Sequence, residues 1–457
     1  MKIKKELFKK YSSSAPRYTS YPTAVEWKLS GGRSKLIKVL KEDFGSKDPL
    51  SLYIHIPFCK SLCHYCGCTV SIRKEDPKYG DEYCEALENE INLITQYWGK
   101  NKKVQQFHLG GGTPTFLNEE QLKKIVSLCK QNFDFQFNAE MAIEVDPRTV
   151  EEKQLIFLKS LGFNRISFGV QDIDEKVQKS INRIQDSEKI KKFVLKCREL
   201  NFDSINLDLI YGLPNQTLES MERLLEFVLE VKPNRIALYS FAHIPWVKKN
   251  QKNIKVEEIP SPSLKLDLFI NFSDKIIQND YVRIGMDHFA RKDDSMALAY
   301  KKGQLNRNFM GYTLLPSQNF LGLGVSAISY LNGFYFQNEK KIPEYYKAVN
   351  NNEFATHNEL ELDFDDLLRK EVIDGLMCRF KLNLYRIEEK YKIDFFDYFN
   401  EEKAHIVKCF ADDLLEFSND GFQVTEDGRV FIRSIAMGFD KYSVGKTDGC
   451  DRFSSTI

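Results

Sequence analysis

Four cysteines lie within ten residues of one another, directly after an apolar run at 52–58 that is typical of a β-strand. They are Cys59, Cys63, Cys66 and Cys68. Thiolates packed this densely usually hold a metal or a cluster, or do redox chemistry. Structural zinc sites commonly add a distant second pair of cysteines, and the sequence contains no such pair. The C-x3-C-x2-C spacing therefore favours a 4Fe–4S cluster with one iron left open, with zinc and disulfides as the alternatives.

The elements that must position these thiols alternate between strand and helix. Strand-like runs, separated by segments of helical period, occupy residues 51–58, 104–109, 140–145, 165–170, 204–210 and 235–241. Such alternation predicts right-handed βαβ units and a parallel sheet, which defines an α/β fold. Six units suit an incomplete (β/α)6 barrel better than a closed eight-fold barrel.

Polar or glycine-rich residues follow every predicted strand after the first. In a barrel of this kind, the carboxyl ends of the strands build the active site. Any one of these residues would more often be a helix cap or a solvated surface group, but their joint position predicts one shared site. The residues are Gly110 to Pro114, Glu144, Asp146, Arg148, Gln171, Asp172, Arg183, Asp208, Ala242 and His243.

The chain divides into three predicted regions. Residues 1–50 form an N-terminal arm on the substrate side, and residues 51–350 form the partial-barrel catalytic domain. Residues 360–457 form a mainly helical, winged-helix-like domain. In that domain, Asp427-Gly428 lies between two alternating runs and predicts a β-hairpin. The segment from about 345 to 362 is polar and asparagine-rich, which is typical of a domain boundary.

Composition limits the classes of partner. Lys and Arg total 66 and Asp and Glu total 65, so neither nucleic acid nor an acidic membrane is expected as a partner. The first residues have no apolar core of a secretory signal, and no window reaches ~18 consecutive apolar residues. The remaining cysteines are scattered without motif spacing. We therefore expect a cytoplasmic protein with reduced thiols, and nothing demands more than a monomer.

The motifs together resemble the radical S-adenosylmethionine (SAM) superfamily and, within it, the oxygen-independent coproporphyrinogen III oxidase family. The superfamily resemblance is carried by the three spaced cysteines and by Gly-Gly-Gly-Thr-Pro after the second strand. The resemblance to the oxidase family runs from about residue 10 to the C-terminus. It is carried by Cys68 and by the segments 16–24, 143–148, 169–172, 208–214, 285–291 and 324–329.

This resemblance implies a reaction and its cofactors. Cys59, Cys63 and Cys66 would each bind one iron of a 4Fe–4S cluster, and the fourth iron would bind SAM. Cleavage of SAM would give a 5′-deoxyadenosyl radical that removes hydrogen from a substrate propionate. Two such decarboxylations, using two SAM molecules, would convert coproporphyrinogen III to protoporphyrinogen IX in haem biosynthesis. An electron donor such as flavodoxin or ferredoxin and an unidentified electron acceptor are implied as partners.

The resemblance also implies site residues beyond the cluster ligands. Catalytic candidates are Cys68, Tyr53, His55 and Glu144; a core histidine is the competing interpretation of His55. Arg17, Arg291 and Arg307 are candidates to anchor the substrate carboxylates. The implied SAM contacts are Tyr53, Tyr65, Gly111, Gly112, Thr113, Glu144, Gln171, Arg183, Asp208, Ala242 and Ile328.

Haem chaperones that share the barrel and the cluster motif are the main functional alternative. They lack an equivalent of Cys68 and generally begin close to the first strand. This chain has Cys68 and the arm segment 16–24, which favours the oxidase family.

Overall fold

Six parallel strands, numbered β1 to β6 in chain order, form the centre of a computed structural model that describes residues 5–12, 14–30, 34–42, 49–314 and 319–443. Consecutive strands pair in parallel, and this confirms the predicted (β/α)6 partial barrel. β3 begins at Asp134, six residues before the predicted run. The strand bounds are Leu50–Ile56, Lys103–Gly111, Asp134–Val145, Arg165–Gln171, Ser204–Tyr211 and Arg235–Ser240.

The sheet continues on both sides of the barrel strands. Phe320–Leu323 pairs in parallel with β1, and His288–Arg291 pairs antiparallel with β6. Among the described residues the strand order is linear, and its two outermost strands do not pair with each other, so the barrel is open. The remaining strands of this sheet are Ile328–Leu331, Phe334–Asn338, Thr356–Glu361, Lys28–Leu29 and Tyr281–Ile284.

Helices connect the barrel strands and cover the sheet. The helix between β1 and β2 buries the face that includes Tyr83, Leu87 and Ile91, which lie on one side at helical spacing. Asn118 begins the next helix with a capping box, in which its side chain and that of Gln121 each accept the other's backbone N–H. The helices from β1 to just beyond β6 are Pro77–Trp98, Glu119–Asn132, Glu152–Ser160, Glu175–Ser180, Ser187–Glu199, Leu218–Val231 and Pro262–Gln278.

Burial explains why β1 reads as a continuous apolar run. All but one of its residues are buried, because helices and flanking segments cover both faces of a parallel sheet. Cys84, Cys129 and Cys197 lie on helices and are buried core thiols.

The N-terminal arm is packed into the protein. Tyr18 and Tyr21 are buried, and the Tyr18 hydroxyl donates to Asp440 at 3.0 Å. Arg433 donates to the carbonyl of Pro16 at 3.2 Å, and Arg307 donates to that of Arg17 at 2.7 Å. The segment around Tyr18 is therefore part of the packed structure and is not a surface loop. The helices of the arm are Lys5–Tyr11 and Ser34–Lys41, with a 3-10 turn at Ala24–Glu26.

The C-terminal region is mainly helical, as predicted. A three-stranded antiparallel sheet of Lys381–Asn383, Gly421–Val424 and Leu415–Ser418 packs with its helices. A π-helical turn at Gly375–Arg379 extends the first helix. The helices are Phe364–Asp374, Leu384–Tyr391, Phe395–Tyr398, Lys403–Ala411 and Ile432–Met437.

The hairpin predicted at Asp427-Gly428 is wrong. The hairpin turn lies at residues 419–420, and Gly428–Phe431 is a 3-10 helix. The hydroxyl of Thr425 accepts the backbone N–H of Gly428 at 3.0 Å. Asp-Gly therefore opens a helical turn here, since a threonine hydroxyl can satisfy a helix's first free N–H groups.

Shorter elements complete the described chain. The segment 345–362, expected as a boundary, carries the end of the helix Ile342–Asn350 and the sheet strand Thr356–Glu361. No helix in the described ranges is both long and apolar enough to cross a membrane. The other elements are the helix Ser295–Lys301, the hairpin of Asn306–Asn308 with Gly311–Thr313, the paired strands Phe58–Cys59 and Ser71–Ile72, and 3-10 turns at Pro114–Phe116, Lys249–Asn253 and Val256–Glu258.

Candidate active site

The cysteine loop, residues 59–70, follows β1 and lines a cavity of about 350 Å³. Short strands at Phe58–Cys59 and Ser71–Ile72 pair in parallel at the two ends of the loop and hold it against the barrel. The thiols of Cys59, Cys63, Cys66 and Cys68 are all free and all line the cavity. The structure therefore brings together the three predicted cluster ligands and the fourth thiol.

The glycine loop, Gly110 to Pro114 at the end of β2, is fastened to the end of β1 and to the residue before the cysteine loop. The backbone N–H of Gly112 donates to Ile56 at 2.7 Å, and that of Thr113 donates to Phe58 at 2.8 Å. A Cβ on Gly112 would lie 2.7 Å from the Phe58 carbonyl oxygen, so only glycine fits. The Thr113 hydroxyl lies 3.5 Å from the Cys59 sulfur.

Two arginines contact the sulfur of Cys63. Arg148 Nη2 and Arg183 Nη1 each lie 3.6 Å from Cys63 Sγ. Both guanidinium groups also bind Asp146, at 2.6 Å and 3.2 Å. Burial alone would raise the pKa of Asp146, but Arg183 and Arg148 hold it below its ordinary value. Nearby cations stabilise thiolates and anionic clusters, so this arrangement suits a thiolate ligand at Cys63.

Glu144, at the end of β3, is held by two donors. Its carboxylate accepts the backbone N–H of Gly111 at 3.1 Å and lies 3.1 Å from His108 Nε2. Burial would raise the pKa of Glu144, but the hydrogen bond and charge of His108 outweigh burial and lower it. The side chain is 40 % exposed, toward the cavity that it lines. An ionised acceptor therefore faces the cavity.

Asp208 on β5 lines the same cavity from the opposite strand. Ser167 and Asn206 donate to its two oxygens at 2.8 Å and 2.9 Å. Burial, followed by the charge of Glu144, raises the pKa of Asp208 to about 6. Two carboxylates with opposite pKa shifts thus face one cavity, which can accept hydroxyl and ammonium donors from a bound ligand.

Tyr53 and His55 lie behind the cavity wall. His55 Nε2 lies 2.9 Å from the carbonyl oxygen of Thr69, so this nitrogen carries the proton. The Tyr53 hydroxyl then donates to His55 Nδ1 at 3.1 Å. Burial lowers the pKa of His55, which keeps the ring neutral. His55 therefore fastens the end of the cysteine loop to β1.

The other predicted SAM contacts divide into two groups. Tyr65, Gly111, Gly112, Thr113, Gln171 and Arg183 line the cavity together with Glu144 and Asp208. Ala242, just beyond β6, and Ile328, on the strand Ile328–Leu331, lie outside its wall. Ile328 packs with Trp27 and Tyr335, away from the cysteine loop.

The residues present fit a cluster with an open iron. Three thiols at the predicted spacing face one cavity, and the glycine loop leaves backbone close to it. The buried Nε of Arg183 has no hydrogen-bond partner in the structure. A buried polar atom of this kind at a cavity wall indicates a missing ligand atom.

Two polar residues that hold parts of the site in place are not predicted from the sequence. His108 lies within a predicted strand, where its pattern is the same as that of a core residue. Asn250 donates to carbonyls of the cysteine loop. No signal in the sequence could have identified Asn250, because its lysine-rich surroundings are typical of a solvated surface.

Two family models match the chain. Residues 53–228 match the model described as the radical SAM superfamily. Residues 362–431 match the model described as the HemN C-terminal domain.

Curated relatives match almost the whole chain. An oxygen-independent coproporphyrinogen III oxidase from Escherichia coli (strain K12) is 43 % identical over 437 residues, which cover 95 % of this chain and 94 % of the relative. One from Synechocystis sp. is 40 % identical over 446 residues, covering 97 % and 96 %.

A solved structure has the same fold over nearly its full length. It is coproporphyrinogen III oxidase (HemN) from Escherichia coli, described as a radical SAM enzyme. Its TM-score to this chain is 0.91 at 40 % identity, with 97 % of this chain and 99 % of that chain covered.

Proposed function

This chain belongs to the oxygen-independent coproporphyrinogen III oxidase family of radical SAM enzymes, and we propose that it decarboxylates two propionates of coproporphyrinogen III to vinyl groups. The product is protoporphyrinogen IX, an intermediate of haem biosynthesis. One observation carries the proposal: the three cysteines of the C-x3-C-x2-C motif open into the same cavity as Glu144 and Asp208.

Cys59, Cys63 and Cys66 would hold the 4Fe–4S cluster, with its fourth iron open to SAM. When bound, the cluster and SAM supply a carbon radical strong enough to remove hydrogen from an unactivated C–H bond. The guanidinium groups of Arg148 and Arg183 offset the negative charge of the cluster at Cys63. The buried position of Arg183 makes its charge effective, because little water screens it.

We propose that the chain's carboxylates orient SAM. Glu144 is ionised and fixed by Gly111, so it can accept an ammonium or a ribose hydroxyl without rearrangement. Asp208 is fixed by Ser167 and Asn206 and can do the same from the opposite wall. Tyr65, Gly112, Thr113 and Gln171 lie between them on the cavity wall and complete the proposed SAM contacts.

The remaining catalytic candidates have separate proposed roles. Cys68 is exposed and lines the cavity without being needed as a ligand, so it is available to act next to the substrate. Tyr53 and His55 act through the Thr69 carbonyl by fixing the end of the cysteine loop. Ala242 and Ile328 remain proposed contacts of the second SAM.

We propose a separate role for each of three regions. Residues 1–50 cover the substrate side of the active site, residues 51–350 form the catalytic domain, and residues 360–457 form a domain that packs on the barrel. The matched ranges 53–228 and 362–431 support this division.

We also propose a monomeric, cytoplasmic enzyme that is reduced by a small flavodoxin- or ferredoxin-like donor. Free thiols at all described cysteines are in keeping with a reducing compartment. Ser61 and Leu62 of the cysteine loop are exposed at the cavity that holds the thiols, so a donor that docks there would come close to the cluster site.

Anaerobic turnover tests the function directly. The reconstituted enzyme is incubated with coproporphyrinogen III, SAM and a reductant, and the porphyrin products, CO2 and 5′-deoxyadenosine are measured. We expect two CO2 and two 5′-deoxyadenosine for each protoporphyrinogen IX. Stable haem binding without CO2 release or vinyl product would contradict the proposal and indicate a haem chaperone.

A further inference from the structure

Asn250 contacts the backbone of the cysteine loop without lining the cavity. It lies in the 3-10 helix Lys249–Asn253, beyond β6. Its Nδ2 lies 3.2 Å from the carbonyl oxygen of Cys63, 3.0 Å from that of His64 and 3.0 Å from that of Cys66. The two N–H donors of one side-chain amide are thus shared among three carbonyls around two of the proposed cluster ligands.

The residues on either side of Asn250 extend this contact. Gln251 is buried, and its Nε2 donates to the carbonyls of Tyr65 and Ala242, each at 3.0 Å. Lys248 Nζ donates to the carbonyl of Cys68 at 3.2 Å. Gln251 therefore ties the cysteine loop to the segment that follows β6.

Lys248, Asn250 and Gln251 form what we call the polar clamp. Their side chains bind the carbonyls of residues 63–66 and 68. None of the three lines the cavity, and the side chains of Asn250 and Gln251 contact the cysteine loop through its backbone. We therefore expect these two residues to affect the cluster site through the conformation of the loop.

Peptide geometry gives the clamp a second consequence. In a planar trans peptide, each C=O points opposite to the N–H of the next residue. Since the carbonyls of His64 and Cys66 point to Asn250, the N–H groups of Tyr65 and Gly67 point away from it. Backbone N–H groups that face a cluster bind its sulfurs and raise its reduction potential.

We propose that the polar clamp is the positioning device of the cluster site. It holds the cysteine loop in the ligating conformation and directs the N–H groups of Tyr65 and Gly67 toward the bound cluster. The inference rests on the proposed function only in requiring a cluster at Cys59, Cys63 and Cys66. It makes no use of the substrate chemistry.

The test compares Asn250→Ala with Asn253→Ala in the full chain, both reconstituted anaerobically. Asn253 is an exposed asparagine of the same 3-10 helix and serves as the matched control. Iron release to a chelator is timed, and the midpoint potential of the cluster is measured by a redox titration monitored by electron paramagnetic resonance. We expect Asn250→Ala to release iron about tenfold faster or more, since several hydrogen bonds to the loop are lost. Its potential should become more negative, while Asn253→Ala matches the wild type.

A milder variant keeps the test decisive if Asn250→Ala folds poorly. Asn250→Ser retains one donor, and thermal unfolding of each apoprotein shows whether the fold is intact. Intermediate iron release and an intermediate potential in a stably folded Asn250→Ser protein support the clamp. Wild-type iron release and potential in that variant overturn it. Both readouts are independent of coproporphyrinogen turnover, so failure of the oxidase assay would not be confused with failure of the clamp.

Discussion

The carboxylate of Glu144 accepts the backbone N–H of Gly111 at 3.1 Å. This bond joins the end of β3 to the glycine loop after β2. Gly111 has a φ of +113°, and a Cβ there would lie 2.5 Å from the ring of His55. The loop can therefore pass between Glu144 and His55 only because residue 111 is glycine. Contacts within the protein therefore connect the strand ends to the cysteine loop, without the help of a bound ligand.

Replacing a proposed cluster ligand should abolish the cluster, whereas replacing a core thiol should leave the cluster intact. Cys63→Ala removes a thiol that faces the cavity and contacts two arginines. We expect loss of the cluster and of SAM cleavage. Cys84→Ala changes a buried thiol on a helix face, so both functions should be retained, with a modest loss of stability. Iron content and 5′-deoxyadenosine formation measure the two outcomes.

Equal loss of iron in Cys63→Ala and Cys84→Ala would contradict the separation of ligand from core thiols. Melting of each apoprotein distinguishes loss of the ligand from loss of the fold.

The barrel and the thiol-bearing part of the site were predictable because their signals are local. Continuous apolar runs indicate buried parallel strands, and Asn118 with Gln121 marks a helix start. The thiol spacing predicts the proposed ligand set. These features depend on residues close together in sequence, where period and spacing are informative.

The parts that could not be predicted depend on contacts distant in sequence. Asp427-Gly428 begins a helical turn because the hydroxyl of Thr425 accepts an N–H there. Asn250 binds carbonyls more than 180 residues away. Ile328 lies outside the cavity wall, packed on Trp27 from the arm. Each outcome is decided by a partner that no local pattern identifies.

SAM affinity should depend on the ionisation of Asp208. Burial and the charge of Glu144 raise the pKa of Asp208 to about 6. Since the carboxylate is the better acceptor, affinity should rise as pH increases through about 6. Asp208→Asn should abolish this rise and weaken SAM binding at pH 8 by about tenfold or more, as expected for a hydrogen bond to a charged group. Anaerobic calorimetric titration with SAM between about pH 5.5 and 8 measures both.

The control is Asp203→Asn, which changes an exposed aspartate next to the same strand. It should keep the wild-type pH profile. The raised pKa of Asp208 also affects the stability of the protein. Because the pKa in the folded state exceeds the ordinary value, the contribution of Asp208 to the free energy of unfolding falls as pH rises from about 4 to about 6. A wild-type pH profile in Asp208→Asn would show that another group controls SAM affinity.

Replacing Gly112 of the glycine loop with alanine should destabilise the protein, whereas the same change at Gly67 of the cysteine loop should not. A Cβ at Gly112 would meet the Phe58 and Ile56 carbonyl oxygens at 2.7 and 3.0 Å, and backbone atoms cannot rotate away. We expect Gly112→Ala to lower the free energy of unfolding by about 1–3 kcal/mol. Gly67 has no atom within 4 Å of such a Cβ, so Gly67→Ala is the matched control. Urea unfolding of the two apoproteins compares them, and equal stabilities would refute the steric argument.

The arm should be held mainly by the ion pair of Arg17 with Asp287. Asp287 is buried, and although burial would raise its pKa, Arg17 and His288 hold it well below its ordinary value. Arg17→Ala would remove the guanidinium that binds this carboxylate, while His288 still contacts it, and should lower the free energy of unfolding by roughly 2 kcal/mol. The control, Arg291→Ala, breaks an exposed pair with Asp293 and should change it by less than about 1 kcal/mol.

Adding Asp287→Asn to Arg17→Ala removes the buried charge that Arg17 balances and should restore part of the lost stability. Urea unfolding at pH 7 measures all three proteins, and limited proteolysis reports release of the arm. If Arg17 served only to anchor a substrate carboxylate, Arg17→Ala would leave unfolding unchanged and raise KM for coproporphyrinogen III. That result would overturn the structural role, because a buried carboxylate that loses the arginine that binds it must destabilise the folded state, whether or not substrate is present.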